Sequence, residues 1–284
     1  MIEKIKIRLI LLWIVLTLSG YAYAAPAEKL RVIVPPDEHP ELEHIQYYYK
    51  LLALSLEKTT ATDGEFEIVL HPQISNYERY LQSVKTGAID VIWTNTNNER
   101  EIEFRPIHIP ILKDLNSYRI FFIRKEDQPL FDTIKTVSDL RKLTAGQGST
   151  WPDTTILRRN DFRVITAIRQ DSLLKMLASK RFDFYPRGLY EIWREKASIQ
   201  DKNIVIEKNL MIYYDSPIYF FVNKNNVALA SRIERGLRIA ISDGSFDQLF
   251  FGVENFKRGY EEQINSRRIL FRLEGILDKP IIHQ

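Results

Sequence analysis

The chain reads as an α/β protein made of two consecutive α/β sets, and two observations predict this. Between residues 30 and 93, apolar runs of strand length alternate with segments whose apolar residues recur at helical spacing. After Pro110 a β-rich run breaks that order, and a second alternating set follows. A β-α-β-α-β order implies a parallel sheet covered by helices.

The elements follow in turn. Leu30–Val34 is an apolar run ended by Pro35-Pro36, and it reads as a strand. Leu42, Ile45, Tyr49, Leu52 and Leu56 repeat at helical spacing, which predicts an amphipathic helix over 41–58. Tyr47, Tyr48 and Tyr49 then point in different directions, with one toward the core. Phe66–Leu70 is a second strand. Tyr77, Tyr80, Leu81 and Val84 mark a second helix, which Gly87 ends, and 89–93 is the third strand. Tyr118–Arg124 is the β-rich break, and Ser138 reads as the cap of a following helix start. In the second set strands are expected at 143–146, 162–166, 182–185 and 204–207, and helices at 153–160, 171–179 and 189–195. A β-rich run at 217–223 precedes a helix with Ala230, Ile233, Leu237 and Ile241 on its apolar face, ended by Asp243-Gly244. A short helix runs from there through Phe251. The charged segment beyond Gly252 is expected to return onto the first set.

The first residues carry the pattern of a secretory signal. Lys4, Lys6 and Arg8 precede an apolar stretch over 9–18, and Ala22-Tyr23-Ala24 offers a small-x-small cleavage site. Residues 1–24 are therefore expected to be removed and the mature chain to start at Ala25; an uncleaved anchor is the alternative reading. The chain has no cysteine, so disulfides, thiolate metal sites and a lipidated cysteine are excluded, and a soluble periplasmic protein is expected. The full chain carries +3, of which the signal contributes most, leaving no electrostatic reason to expect nucleic acid or an anionic membrane as partner. No Cys nucleophile, H-E-x-x-H, phosphate-loop or G-x-S-x-G motif is present, the five histidines are scattered, and neither a cofactor nor a metal is expected.

The segment from Gly87 to Arg100 is the most informative. An apolar run ends at Trp93, is followed by Thr94-Asn95-Thr96-Asn97-Asn98, and closes on Glu99-Arg100. This fits a buried strand that delivers hydroxyl, amide and guanidinium groups to a cleft. A guanidinium fork suits a carboxylate, although Arg100 could instead pair with Glu99 or Glu103. Gly148, Ser149, Thr150 and Trp151 form a second such place, where backbone N–H groups and hydroxyls can approach an anion and Asp153 can start a helix. An ordinary capped turn is the alternative there.

These segments resemble bacterial extracellular solute-binding proteins of family 3, the polar amino-acid type. The strand into Asp90 and the Asn97-Asn98-Glu99-Arg100 turn match a "G-x-(I/V)-D" strand and "T-x-x-R" turn, with Asn97 in place of threonine. Val-Ser-Asp-Leu-Arg at 137–141 and Gly-Gln-Gly-Ser-Thr at 146–150 look like the start of the family's second lobe. Ser-Lys-Arg-Phe-Asp-Phe at 179–184, Pro-Ile-Tyr-Phe-Phe-Val-Asn-Lys at 217–224 and Ser-Asp-Gly-Ser-Phe-Asp at 242–247 are similar to later motifs, so the resemblance spans about 29–251.

The resemblance implies the type II periplasmic binding protein fold: two α/β lobes, two crossovers and a ligand between them. The lobes would comprise 25–119 and 120–213, with 214–284 returning to lobe one and extending beyond it. By the same resemblance Arg100 grips a ligand carboxylate, Asn95 shares it, and the Ser149–Thr150 loop closes over it from lobe two. Trp93 is either a ring against the ligand or a core residue, and Trp151 either stacks on the ligand or is buried against Pro152. Arg187 stands where the family often has an acid for the ligand's amine, which suggests a second anionic group on the ligand or a surface role. The implied function is a monomeric periplasmic binding protein for a carboxylate-bearing solute, serving an ABC importer. A partner of a membrane sensor and a dehydratase-like enzyme using Asp37 or Glu38 are the alternatives.

Overall fold

The structure, a computed structural model, describes residues 29–37, 40–275 and 277. The expected signal segment and Ala25 lie outside the described residues, as do Glu38 and His39.

Twelve strands are described: β1 Leu30–Val34, β2 Phe66–Leu70, β3 Val91–Asn95, β4 Phe104–Ile107, β5 Tyr118–Arg124, β6 Thr144–Gly148, β7 Arg163–Ala167, β8 Tyr185–Gly188, β9 Ile204–Ile206, β10 Leu210–Tyr213, β11 Ile218–Asn223 and β12 Ile269–Arg272. They form two groups. In the first, β1 runs parallel to β2, and β11 lies antiparallel between β3 and β4. In the second, β6 runs parallel to β7, β5 pairs antiparallel with β8, β9 and β10, and β10 pairs parallel with β12.

The same device joins the pieces within each group. Asp90 donates its N–H to the Ile33 carbonyl at 2.7 Å, and its Oδ2 accepts the Ile33 N–H at 2.7 Å. Asp183 does the same with Thr144, donating to its carbonyl at 2.8 Å and accepting its N–H at 2.8 Å. Each carboxylate stands in for a strand carbonyl where the ladder would otherwise lapse, so the Ile33 and Thr144 N–H groups have acceptors. The aspartates of the two similar motifs are therefore structural clasps.

Helices cover these strands. The Glu43–Glu57 helix buries Tyr47, Tyr48, Leu51, Leu52 and Leu56 and packs on the Val227–Ser242 helix. That crossing is close because Gly236 has no side chain: a Cβ there would collide with the Ser55 carbonyl. Arg232 of the second helix donates to Thr59 Oγ1 at 3.1 Å and to the carbonyls of Asp63 at 3.1 Å and Gly64 at 2.6 Å, satisfying oxygens left over after the first helix ends. Gly87 ends the Tyr77–Thr86 helix at φ +79°, as its position predicts. One apolar cluster runs from Val32 and Leu51 through Leu115 and Phe256 to Leu177 and Leu189, so the core is continuous between the two groups.

Several expectations need correction. Thr136, not Ser138, caps the Val137–Leu140 helix, in a reciprocal box with Asp139. The strand expected at 182–185 begins at Tyr185, because Asp183 is occupied by its clasp and Phe184 makes only a single bridge. The helix expected at 189–195 begins at Ile192, since Glu191 accepts the Gly188 N–H at 3.0 Å and holds the preceding residues in a turn. Tyr47 and Tyr48 are both buried, not one of the three. The segment after Gly252 returns onto the first group only through the Glu254–Asn265 helix, whose Phe256 meets Tyr47 edge-on at 5.0 Å; it then forms β12 beside β10 of the second group. Asn160 secures it, accepting the Glu274 N–H and donating to the Glu274 carbonyl, both at 2.9 Å.

Gly236→Ala is expected to destabilise the protein by about 1–3 kcal/mol, because the added methyl forces the two helices apart. Urea denaturation of the variant against wild type measures this.

Candidate functional site

The turn after β3 is built by Asn97. Its side-chain oxygen accepts the Arg100 N–H at 2.8 Å and caps the Asn98–Glu103 helix. Asparagine and threonine both serve as N-caps, so the exchange of one for the other preserves the turn. The turn folds Arg100 back toward β3, where Nη1 donates to the Asn95 carbonyl at 2.6 Å and the guanidinium lies 5.3 Å from the Tyr77 ring centre. The ion pair considered for Arg100 does not form: Glu103 is held by Lys85 at 2.7 Å, and Arg100 has no carboxylate partner among the described residues.

Arg100 lines a cavity of about 280 Å³ whose opposite wall is Ser149, Thr150, Trp151 and Thr155. The first group also contributes Glu78 and Glu99, which sequence reasoning missed; nothing in local spacing distinguishes them from solvated helix positions. A larger groove of about 520 Å³ lies between the Glu43–Glu57 and Ser245–Phe251 helices, but it does not bring groups from the two sheets together.

On the facing side, Ser149 and Thr150 are exposed at the end of β6, before the Pro152–Arg159 helix. The Ser149 N–H already donates to the Ala167 carbonyl at 3.0 Å, so the hydroxyls are what this loop offers. The Trp151 ring lies against Gly148, where a Cβ would overlap it. The glycine therefore makes room for an indole and does not open the backbone to an anion.

Of three other candidates, Trp93 takes the core position that was one of its two expected readings, and Asn95 and Arg187 take roles other than those expected. Trp93 stacks on Tyr48 at 5.3 Å and meets Tyr49 and Phe220 edge-on at 4.8 and 6.4 Å, so it belongs to an aromatic core and does not line the cavity. Asn95 donates Nδ2 to Ser216 Oγ at 2.9 Å, which turns its amide toward the second crossover. Arg187 is buried and bound by Glu195 at 2.6 and 2.8 Å and by Glu191 at 2.9 Å, with its guanidinium 4.7 Å from the Trp151 ring centre. Two carboxylates already neutralise it, which removes the reason to expect a second anionic group on the ligand. Asp37 accepts from Gln46 Nε2 and is not among the residues that line this cavity.

Behind the loop lies a buried polar centre. Arg119 Nε donates to Asp153 Oδ1 at 2.9 Å, and Tyr214 donates its hydroxyl to the same oxygen. Burial alone would raise the Asp153 pKa, but the Arg119 charge and the Tyr214 hydrogen bond outweigh it and hold the carboxyl below its ordinary value. Glu191 is shifted the other way: burial raises it more than the charge of Arg187 lowers it. The helix starts at Pro152, one residue before the expected Asp153, whose carboxylate faces Arg119 from the first turn.

No family model and no curated protein matches this chain. Solved structures do. An ancestral arginine-binding protein bound to arginine is similar at TM-score 0.56 and 16% identity, over 81% of this chain and 99% of that one. The probable amino-acid ABC transporter extracellular-binding protein YtmK of Bacillus subtilis is similar at 0.58 and 15%, over 80% and 98%. The BvgS VFT2 domain of Bordetella pertussis, as a double mutant, is similar at 0.58 and 17%, over 79% and 92%. At these identities the likeness is one of fold: the type II periplasmic binding protein, two α/β lobes with a cleft between them.

Asp153→Asn is expected to destabilise at pH 7 by about 3 kcal/mol, since it leaves Arg119 buried without its counter-charge. The native carboxylate has a depressed pKa, so its contribution is present above 3.8 and is lost as pH falls through the folded value. Urea denaturation of both proteins should show the difference shrinking as pH is lowered below that point.

Proposed function

We propose that the protein binds a small carboxylate-bearing solute, an amino acid or related compound, in the cavity between Arg100 and the Ser149–Thr150 loop. The observation that carries this reading is Arg100. It faces the same cavity as two hydroxyl groups of the other lobe and holds no carboxylate of its own among the described residues. The buried Arg119 and Arg187 and the half-buried Arg268 each have one, whereas the buried Arg232 is satisfied by backbone carbonyls and a threonine hydroxyl. A ligand carboxylate would complete the fork with charge-assisted hydrogen bonds. Glu78 and Glu99 on the same walls suit an ammonium group on the ligand.

Contacts from both walls favour the closed arrangement of the lobes over the open one, because only the closed form makes both sets. Lobe one would comprise 25–119 with the returning strand β11, and lobe two 120–213 with β12 added from the C-terminal segment. The closed form would be presented to the membrane subunits of an ABC importer, from the periplasm. The likeness to an arginine-bound protein and to a probable ABC transporter extracellular-binding protein supports this choice of ligand class and partner.

A thermal-shift screen of amino acids and small organic acids tests the reading, since a ligand at 100 times its Kd stabilises by about 2.7 kcal/mol. Calorimetry of Arg100→Ala with the best hit should show affinity falling by about 10- to 100-fold, the worth of hydrogen bonds to a charged group. No stabilising compound, or unchanged affinity in the variant, would refute it.

A further inference from the structure

We infer that a buried polar chain through both crossovers couples the two walls of the cavity, so that Asn116 and Ser216 position Arg100 and set the separation of the lobes. The inference concerns the same cavity as the proposed function, but it rests on the fold and its bonds, not on the solute.

The chain starts at the cavity. Arg100 Nη1 donates to the Asn95 carbonyl at 2.6 Å, and Asn95 Nδ2 donates to Ser216 Oγ at 2.9 Å. Asn116 Nδ2 donates to the Ser216 carbonyl at 2.6 Å, and Arg119 Nη2 donates to Asn116 Oδ1 at 3.2 Å. Arg119 Nε then reaches Asp153 at 2.9 Å, in the first turn of the helix whose leading loop forms the opposite wall. Five bonds thus connect one wall to the other.

The middle of this chain is where the lobes must hinge. Residues 116–119 lead the backbone into the second group of strands, and 214–217 lead it out. These two passages are tied to one another: the Tyr214 N–H donates to the Ser117 carbonyl at 3.1 Å, and the Ser216 N–H donates to Ser117 Oγ at 3.1 Å. Ser117 and Ser216 are fully buried, and Asn116 and Arg119 are 2% and 3% exposed, so water cannot replace a lost partner. Hinge rotation changes backbone angles at such passages. Here a rotation moves Ser216 or Asn116, and either movement strains the bond that holds Asn95 under Arg100 or the bond that holds Arg119 on Asp153. An orphaned buried donor or acceptor is costly, so a movement at one wall is transmitted through the chain to the other.

The absence of cysteine makes a direct test available. Arg79→Cys on the Tyr77–Thr86 helix and Arg158→Cys on the Pro152–Arg159 helix place spin labels on exposed positions of the two lobes. Electron–electron double resonance on the full chain, with no solute added, reads the distance distribution between them. Ser216→Ala and Asn116→Ala are expected to lengthen or broaden that distribution. Val84→Ala, a core truncation within lobe one, should lower Tm and leave the distribution unchanged. Should Asn116→Ala fail to fold, Ser216→Ala, which removes one oxygen, and Asn95→Ala carry the comparison. Variants that lower Tm yet retain the wild-type distribution would show a merely structural role and overturn the inference. Because no solute is present, failure here leaves the binding proposal standing, and the reverse also holds.

Discussion

Asp153 is a carboxylate buried at the meeting point of the two passages between lobes, and much of the surrounding architecture follows from keeping it charged. A buried ion is tolerated only when paired and hydrogen-bonded. Arg119 supplies the charge from the start of β5, and Tyr214 supplies a hydroxyl from the end of the second group of strands. Neither partner can leave without stranding the other groups. The helix that begins beside Asp153 is thereby fixed in place, and with it the Ser149–Thr150 loop and the Trp151 ring.

The same constraint explains the fate of Arg187. A second buried guanidinium near Asp153 needs its own counter-charges, and Glu191 and Glu195 provide them from the turn and helix that follow. Both guanidinium groups of the lobe-two polar centre have carboxylate partners within it, and Trp151 lies over Arg187, so it has little positive charge left to offer a ligand. Arg100 is the opposite case. Its contacts are a carbonyl and an aromatic ring, which orient the guanidinium without neutralising it. The two arginines singled out in the sequence are separated by which of them already has carboxylates around it.

Much of the fold was legible because it depends on local chemistry. The strand and helix alternation and the Gly87 stop rest on periodicity or backbone conformation, and the order of the motifs rested on the resemblance. The aspartates of the two "D" motifs were legible as motif members, but their clasp role was not, since the strand each one grips lies far off in sequence. Boundaries shifted where a side chain took over a backbone bond, at Asp183, Glu191 and Thr136. The C-terminal segment was legible only in part: its helix does return to Tyr47 and Phe250, but its strand joins the second group. What decides the matter is Asn160 and the free edge of β10.

For the candidate site, the sequence by itself determined that Arg100 follows a buried strand on a polar turn, and that a Gly-Ser-Thr loop leads a helix in the second set. Those statements depend on residues within a few positions of one another. The tertiary structure alone decided that Arg100, Ser149 and Thr150 share one cavity, that Glu78 and Glu99 join them, and that Trp93, Asn95 and Arg187 face elsewhere. The physical reason is that whether a polar group is available to a ligand depends on which partners already satisfy it. Those partners arrive from Tyr48, Ser216 and Glu195, at separations no local pattern encodes.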